Sequence, residues 1–462
     1  MHSLNYTLTR RQTLPIYSVM TLYAASAPVA VTSIVQHLIP IPGSVLLTFL
    51  ALALFLVALF TERQPVSITE LNRIGLLVCG AIAIPAIASL IGVAFALVSI
   101  QSVEYTAYVN HSLLNRLINL SLYTVLTLVV LIFIRRDVQQ TNISLLKGYT
   151  IGTFLLALGG IWQFLHFTIG YPMPLFDTRA YVHSVNQDVL FNFRITSFTD
   201  EPSFLVPFLL DGLIIGTLIM TRKTYALFAS LVILVLLLTF SISGYVNVVV
   251  IGLVAMLLLF TRNMIPKKMI LTIIGGLFLL ITTLFLLLPQ AFIALFMPIL
   301  GRVDGLFDVM HHSRLYMLVF PFVWLFDYSF MNTLFGFGPG SYDFLARTKF
   351  LSHQGAVSGT SNNVFVDLLF EHGLLGGLLF TISFIAISFY LWKKRNIHLY
   401  YSIALILWIH LGVTSLYRAD FASPRFWLII MIVVGLLELA RQKRYLPNHV
   451  PNIFQKAKVT SI

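Results

Sequence analysis

Charge is what this 462-residue chain has least of: only 10% of its residues are Asp, Glu, Lys or Arg, against about a quarter in a soluble domain. A folded globule needs a wetted, charged surface. With 58% hydrophobic residues and a mean hydropathy of +0.91, too little polar material remains to make one. A water-soluble enzyme is thereby excluded. Cysteine is nearly absent too: the single Cys79 lies inside an apolar run, which leaves no disulfide framework and no thiolate metal site. There is no HExxH spacing, no GxSxG elbow and no glycine fingerprint inside a strand–helix unit, so zincin, serine-nucleophile and dinucleotide chemistry are not signalled. Acids are outnumbered, 17 against 29 Lys and Arg, for a net charge of +12. In a soluble chain that excess would suggest nucleic acid. In so apolar a chain it reads instead as the charge that orients membrane helices, and no nucleic-acid partner is expected.

Long apolar runs are what the chain has in plenty. A spanning helix needs about 20 predominantly apolar residues, and about twelve stretches approach that: Ile16–His37, Ser44–Phe60, Ile74–Ile100, Leu117–Ile134, Tyr149–Gly170, Phe204–Met220, Tyr225–Phe240, Tyr245–Thr261, Met269–Pro298, Val364–Tyr390, Tyr400–Tyr417 and Phe426–Ala440. Backbone polar groups cannot go unsatisfied in lipid, so such runs must be helices. The expectation is an all-α polytopic membrane protein, a single integral domain over 1–462. Arg10-Arg11 before an apolar run resembles a signal peptide, but Pro28 follows Ala25-Ser26-Ala27 and the run continues, which favours a retained first helix.

With the N-terminus inside, twenty of the 29 cations fall on the cytoplasmic side and both termini lie there. The nine on the other side are eight arginines and one lysine. Topogenic charge has no reason to prefer arginine, whereas phosphate recognition does, because a planar guanidinium binds it bidentately. Pairing with loop acids is the alternative for about half of them.

Two outside connections are long, 171–203 and 301–363. Loops beyond about 12–15 residues are usually functional or disordered, and these are rich in aromatic residues, His and Arg, unlike disordered linkers. Leu315 to Phe330 is too short to span comfortably and reads as an interfacial helix roofing a lateral cavity. The first loop ends Phe193-Arg194-Ile195-Thr196-Ser197-Phe198-Thr199-Asp200-Glu201-Pro202-Ser203. Pro202 suits a first helical turn that Asp200 or Thr199 would cap. Alternatively, Asp200 and Glu201 only complement the helix dipole.

The second loop carries His311-His312-Ser313-Arg314, then Trp324, Gly336-Phe337-Gly338-Pro339-Gly340, Tyr342, His353 and Gly359-Thr360-Ser361-Asn362-Asn363. Its alternating glycines suggest a tight turn with close backbone approach. Asp367 and Glu371 follow on one face of the next helix, four residues apart and near its outer end. Ionisable groups there are expensive and are functional candidates by default. Pairing with Arg418 or Arg425 is the open alternative. The three histidines match no metal-ligand spacing, and neither metal nor cofactor is expected.

At these residues the chain resembles the O-antigen ligase/polymerase superfamily, the Wzy- and WaaL-like membrane glycosyltransferases. The shared parts are Arg194 before a Glu201-Pro202-Ser203 helix start, a small-polar stop at Ser241 to Gly244, Arg314 heading an aromatic segment to Trp324, the Gly-Phe-Gly-Pro-Gly turn, and Asn363-x-Phe365 leading to Glu371-x-Gly373 and Gly376. Each motif is short, but their order is fairly specific. One departure stands out: members often carry His-Asn before the last motif, where this chain has Asn362-Asn363, which favours the polymerase branch.

The resemblance implies a GT-C-like fold in the bacterial plasma membrane and transfer of a glycan from an undecaprenyl-diphosphate carrier to a sugar hydroxyl on the outer face. Arg194 and Arg314 are the expected diphosphate contacts, stabilising the leaving group without a metal. Displacement by the acceptor would invert the anomeric centre and wants a general base. Glu201, Asp367, Glu371 and His353 are the candidates in that order, with Asn362, Asn363 and Tyr342 as further substrate contacts. A chain-length regulator is a possible partner. A ligase is the near alternative. A flippase or transporter of lipid-linked sugars is the distant one, although no internal repeat is evident.

Overall fold

The computed structural model describes residues 10–29, 43–61, 72–173, 192–199, 201–261, 314–349, 359–419, 421–444 and 446, with nine further helical positions between 272 and 289. All regular structure among them is helical. In chain order the helices are α1 (Arg10–Val29), α2 (Gly43–Thr61), α3 (Arg73–Ser99), α4 (Val103–Tyr108), α5 (Leu114–Arg136), α6 (Val138–Ile169), α7 (Pro202–Ile219), α8 (Arg222–Leu238), α9 (Ile242–Thr261), α10 (Arg314–Trp324), α11 (Phe330–Phe335), α12 (Tyr342–Lys349), α13 (Val364–Lys394), α14 (Leu399–Ser415) and α15 (Pro424–Arg441).

Six described helical stretches are long and apolar enough to cross a bilayer: α3, the α4–α5 run, α6, α7, α9 and α13. Two shorter apolar ones, Val45–Phe60 within α2 and α14, join them. Most expected segments coincide with helices to within a few residues. Two begin well before their apolar stretch, for local reasons. Asp137 accepts the amide of Gln140 at 3.1 Å and so starts α6 at Val138. The helix containing Leu117–Ile134 starts at Val103, capped by Ser102, and passes through a π-turn at Val109–Leu113. The Ser241–Gly244 break also appears, α8 ending at Leu238 and α9 starting at Ile242. Met269–Pro298 lies mostly outside the described residues.

The centre of the bundle is α15. Every residue from Pro424 to Ala440 is buried, as expected of a helix apolar on all sides. It packs against α14, α5, α6, α1 and α3. Among the described residues, several of those expected outside meet at one end of this bundle. Arg418 Nη1 donates to the Phe204 carbonyl at 2.9 Å, tying the end of α14 to the start of α7. Asn363 Nδ2 donates to the Leu416 carbonyl at 3.1 Å, tying the same end to the start of α13. At the other end Arg135 pairs with Glu438 at 3.3 Å, and Asn72 and Arg441 meet the same carboxylate.

The expected helix Leu315–Phe330 is in fact two. α10 ends at Trp324, and a turn leads to Ser329, whose Oγ accepts the Asn332 amide at 3.1 Å and starts α11.

Candidate functional site

A cleft opens at the end of the bundle where α5, α13, the Gly-Phe-Gly-Pro-Gly turn and the α14–α15 connection meet. It encloses about 440 Å³ of empty space, mouth included, and its walls include Arg116, Gly340, Thr360, Asp367, Glu371 and Phe421.

The turn is fixed from three sides. Asn332 Nδ2 donates to the carbonyls of Gly92 (2.7 Å) on α3 and Gly336 (3.1 Å). Two tyrosines of α4 reach it: Tyr105 donates to the Phe337 carbonyl at 2.8 Å and Tyr108 to that of Pro339 at 2.9 Å. The third support comes from α13. Gly373 has φ +70 and ψ −172 inside that helix, a backbone region essentially confined to glycine. The helical ladder is interrupted there, and the Glu371 carbonyl instead accepts the Gly338 amide at 2.8 Å. A side chain on Gly336 would strike the Glu371 carbonyl, and one on Gly373 the Leu334 carbonyl. The two glycines allow turn and kink to touch.

That contact presents the acid pair. Asp367 and Glu371 are 0% and 3% exposed, and both line the cleft. Ser361 donates its backbone N–H to Asp367 Oδ1 at 2.9 Å. The backbone N–H groups of Gly340 and Tyr342 lie beside the Glu371 carboxyl. One oxygen of each carboxyl, Asp367 Oδ2 and Glu371 Oε2, has no hydrogen-bond partner among the described residues. Arg116, exposed at the cleft, is close enough to both to interact electrostatically. It sits in the first turn of α5 just after the π-turn, a distortion frequent at functional sites. Next to Glu371, His372 is 1% exposed, and neither ring nitrogen has a hydrogen-bond partner among the described residues. Its ring meets Phe421 edge-on at 6.5 Å.

The alternative pairing of the acids with Arg418 or Arg425 is not adopted. Arg425 Nε binds Asp211 Oδ2 at 2.7 Å. Arg418 lies over the rings of Phe204 and Phe208. Asp211 is a centre that the sequence reading did not single out. It also accepts Tyr149 OH at 2.7 Å and contacts His410 Nδ1 at 2.6 Å, and all four side chains are fully buried.

Of the other expected site residues, Asn363 caps α13, its Oδ1 accepting the amides of Phe365 (2.9 Å) and Val366 (3.2 Å). Asn362 precedes it in a left-handed conformation, φ +57. Tyr342 is buried edge-on against Phe370. Glu201 and Arg194 are half-buried and are not among the cleft walls. Glu201 occupies the N-cap position of α7, where Pro202 opens the helix. Ser203 Oγ donates to its Oε2 at 3.2 Å. The expected cap by Thr199 does not form, because its hydroxyl donates to the carbonyls of Thr196 and Glu201. Asp200 lies outside the described residues. Arg194 belongs to a segment held between α6 and α8, where Ile195 N donates to Leu238 O and Gln163 Oε1 accepts the amides of Thr196 and Ser197. Arg314 is the first residue of α10, which packs on α13, but its side chain lies outside the described residues. So do His311, His312 and His353.

Arg116 and His372 were missed for different reasons. Arg116 follows a short connection and was counted only as an outside cation. His372 stands in the Glu-His-Gly step that the motif treats as a spacer. Comparison of the chain with known protein families and with curated proteins finds no match.

Proposed function

We propose that this protein is a membrane glycosyltransferase that polymerises undecaprenyl-diphosphate-linked oligosaccharide repeat units into O-antigen, exopolysaccharide or capsule. In this reading it works at the outer face of the bacterial plasma membrane, with about twelve spans and both termini in the cytoplasm. The observation that carries the proposal is the cleft itself. The glycine turn and the Asn363-to-Gly376 helix come together there with two carboxyls and with Arg116, more than two hundred residues earlier in the chain.

The chemistry follows from those groups. A lipid-diphosphate donor keeps its chain in the bilayer and its phosphates at headgroup height. Arg116 faces that end of the bundle, and Arg194 and Arg314 are proposed to join it as diphosphate contacts. The acceptor hydroxyl attacks the anomeric carbon and the bond from that carbon to the phosphate oxygen breaks. The electron pair leaves with the lipid diphosphate, whose charge the guanidiniums stabilise. The acceptor proton passes to a carboxylate within hydrogen-bond reach. Glu371 and Asp367, which line the cleft, are the first choices for this role. Glu201 stands at the α7 entry beside the α14 end, and is the second choice. No step needs a metal.

The test is lipid-linked oligosaccharide analysis in a deletion strain carrying wild type, Arg116→Ala, Arg194→Ala or Arg314→Ala. Each variant is expected to insert normally and to leave single repeat units on the carrier. Wild-type polymer lengths from all three would overturn the proposal. Long polymer accumulating on the carrier would assign the chain to the ligase reading instead.

A further inference from the structure

We infer that the end of the bundle opposite the cleft holds a binding site for the phosphate headgroup of an anionic phospholipid, built from Arg135 and Arg441 around Glu438 with Arg73 beside them. Glu438, near the end of α15, is 2% exposed. Asn72 Nδ2 donates to its Oε1 at 2.5 Å, and Arg135 Nη1 and Arg441 Nη1 approach its oxygens at 3.3 and 3.6 Å. One carboxylate thus gathers guanidiniums from α5 and α15 and leaves positive charge in excess. The other N–H groups of both arginines have no acceptor among the described residues. Both side chains reach the surface, 37% and 58% exposed. Arg73, next in sequence to Asn72, is exposed as well.

A charge that only orients a helix can lie anywhere near its end. These two are drawn to one point by a buried acid, and guanidiniums with N–H groups to spare suit phosphate, which they bind bidentately. The neighbouring surface selects the source of that phosphate. Arg73 heads a stripe along one face of α3, where Leu77, Ile84 and Ile91 follow at helical spacing and are 44%, 62% and 46% exposed. On a spanning helix such a face meets acyl chains. A free phosphate ion gains nothing from it, whereas a phospholipid lays its chains there beside its headgroup. Tyr401 is close enough to Glu438 and Arg441 to interact electrostatically, an aromatic residue of the kind found at headgroup height. The site does not depend on the glycosyltransferase reading.

Native mass spectrometry of the full-length protein in detergent tests this with phosphatidylglycerol, phosphatidylcholine of the same acyl chains, and inorganic phosphate. The wild type is expected to retain phosphatidylglycerol in preference to phosphatidylcholine and to ignore inorganic phosphate. Arg135→Gln, Arg441→Gln and Arg73→Gln should each weaken that retention about fivefold, which is what one basic residue near an anionic lipid surface is worth. Lys223→Gln, at another exposed cation of the same side in the proposed topology, should leave it unchanged. Equal retention of the two lipids, an equal loss in Lys223→Gln, or displacement of the lipid by inorganic phosphate would overturn the inference. Arg73 has no partner among the described residues, so its variant decides the matter even if losing Arg135 or Arg441 unfolds the protein around Glu438. Binding is read here without turnover, so its failure leaves the polymerase reading standing, and a strain without a polymer defect leaves the lipid site standing.

Discussion

Single residues decide how this bundle tolerates charge. Asp211 interrupts an apolar helix and would be ruinous alone in the core. Arg425, His410 and Tyr149 surround it at 2.6–2.7 Å. The arrangement extends outward, with Asn247 Nδ2 contacting His410 Nε2 at 3.0 Å and Tyr417 OH at 3.1 Å. Removing one member of a buried ion pair strands the other, at a cost of about 3–5 kcal/mol. Asp211→Leu and Arg425→Met should each lower the thermal unfolding midpoint sharply in detergent. The double variant should recover much of the loss, because apolar replacement of the whole pair strands no charge. A double variant as unstable as both singles summed would show that the pair is not the source of the cost. The same reasoning that marks Asp367 and Glu371 as candidates from sequence, an ionisable group in a spanning helix, applies to Asp211. What sequence could not supply was its set of partners, which come from α6, α14 and α15.

At the scale of elements, the kink in α13 is the device that makes a site. A regular helix would consume the Glu371 carbonyl in its own ladder and leave the Gly338 amide without that partner. Gly373 at φ +70 releases it. Gly373→Ala is expected to destabilise the protein by about 1–3 kcal/mol and to reduce polymer extension further than its stability loss explains, since it displaces the Glu371 carboxyl from the turn. Unfolding curves together with oligosaccharide analysis check both parts. Full extension by a folded variant would remove the kink from the mechanism. The glycine pattern was readable as a tight turn, and the acid pair as sharing one face. That turn and pair are in contact was not readable, because the spacing between them in sequence carries no information about it.

For the whole molecule, the convergence of the α7, α13 and α15 starts with the α14 end fixes which connections share a face. The proposed topology, argued from positive-inside charge, puts that face outward. Cys79 is buried and its replacement by alanine provides a background for labelling. With cysteine introduced in turn at Gly359 and at Lys443, both exposed, a membrane-impermeant maleimide should label intact cells at Gly359 only. Labelling at Lys443 alone would invert the topology and remove the outer-face reaction.

The sequence by itself determined that this chain belongs in a bilayer and is helical, since 58% hydrophobic residues with 10% charge leave too little polar surface for water, and apolar runs of about twenty residues mark spanning helices. Local motifs marked where the chain turns and which acids stand out of place. The tertiary structure decided which of those residues meet: Arg116 rather than Arg418 or Arg425 beside the acid pair, Asp211 on Arg425, and Glu201 and Arg194 off the cleft wall. The reason is physical. Helix formation follows from hydropathy and periodicity within some twenty residues, whereas a site depends on side chains brought together by packing between helices hundreds of residues apart.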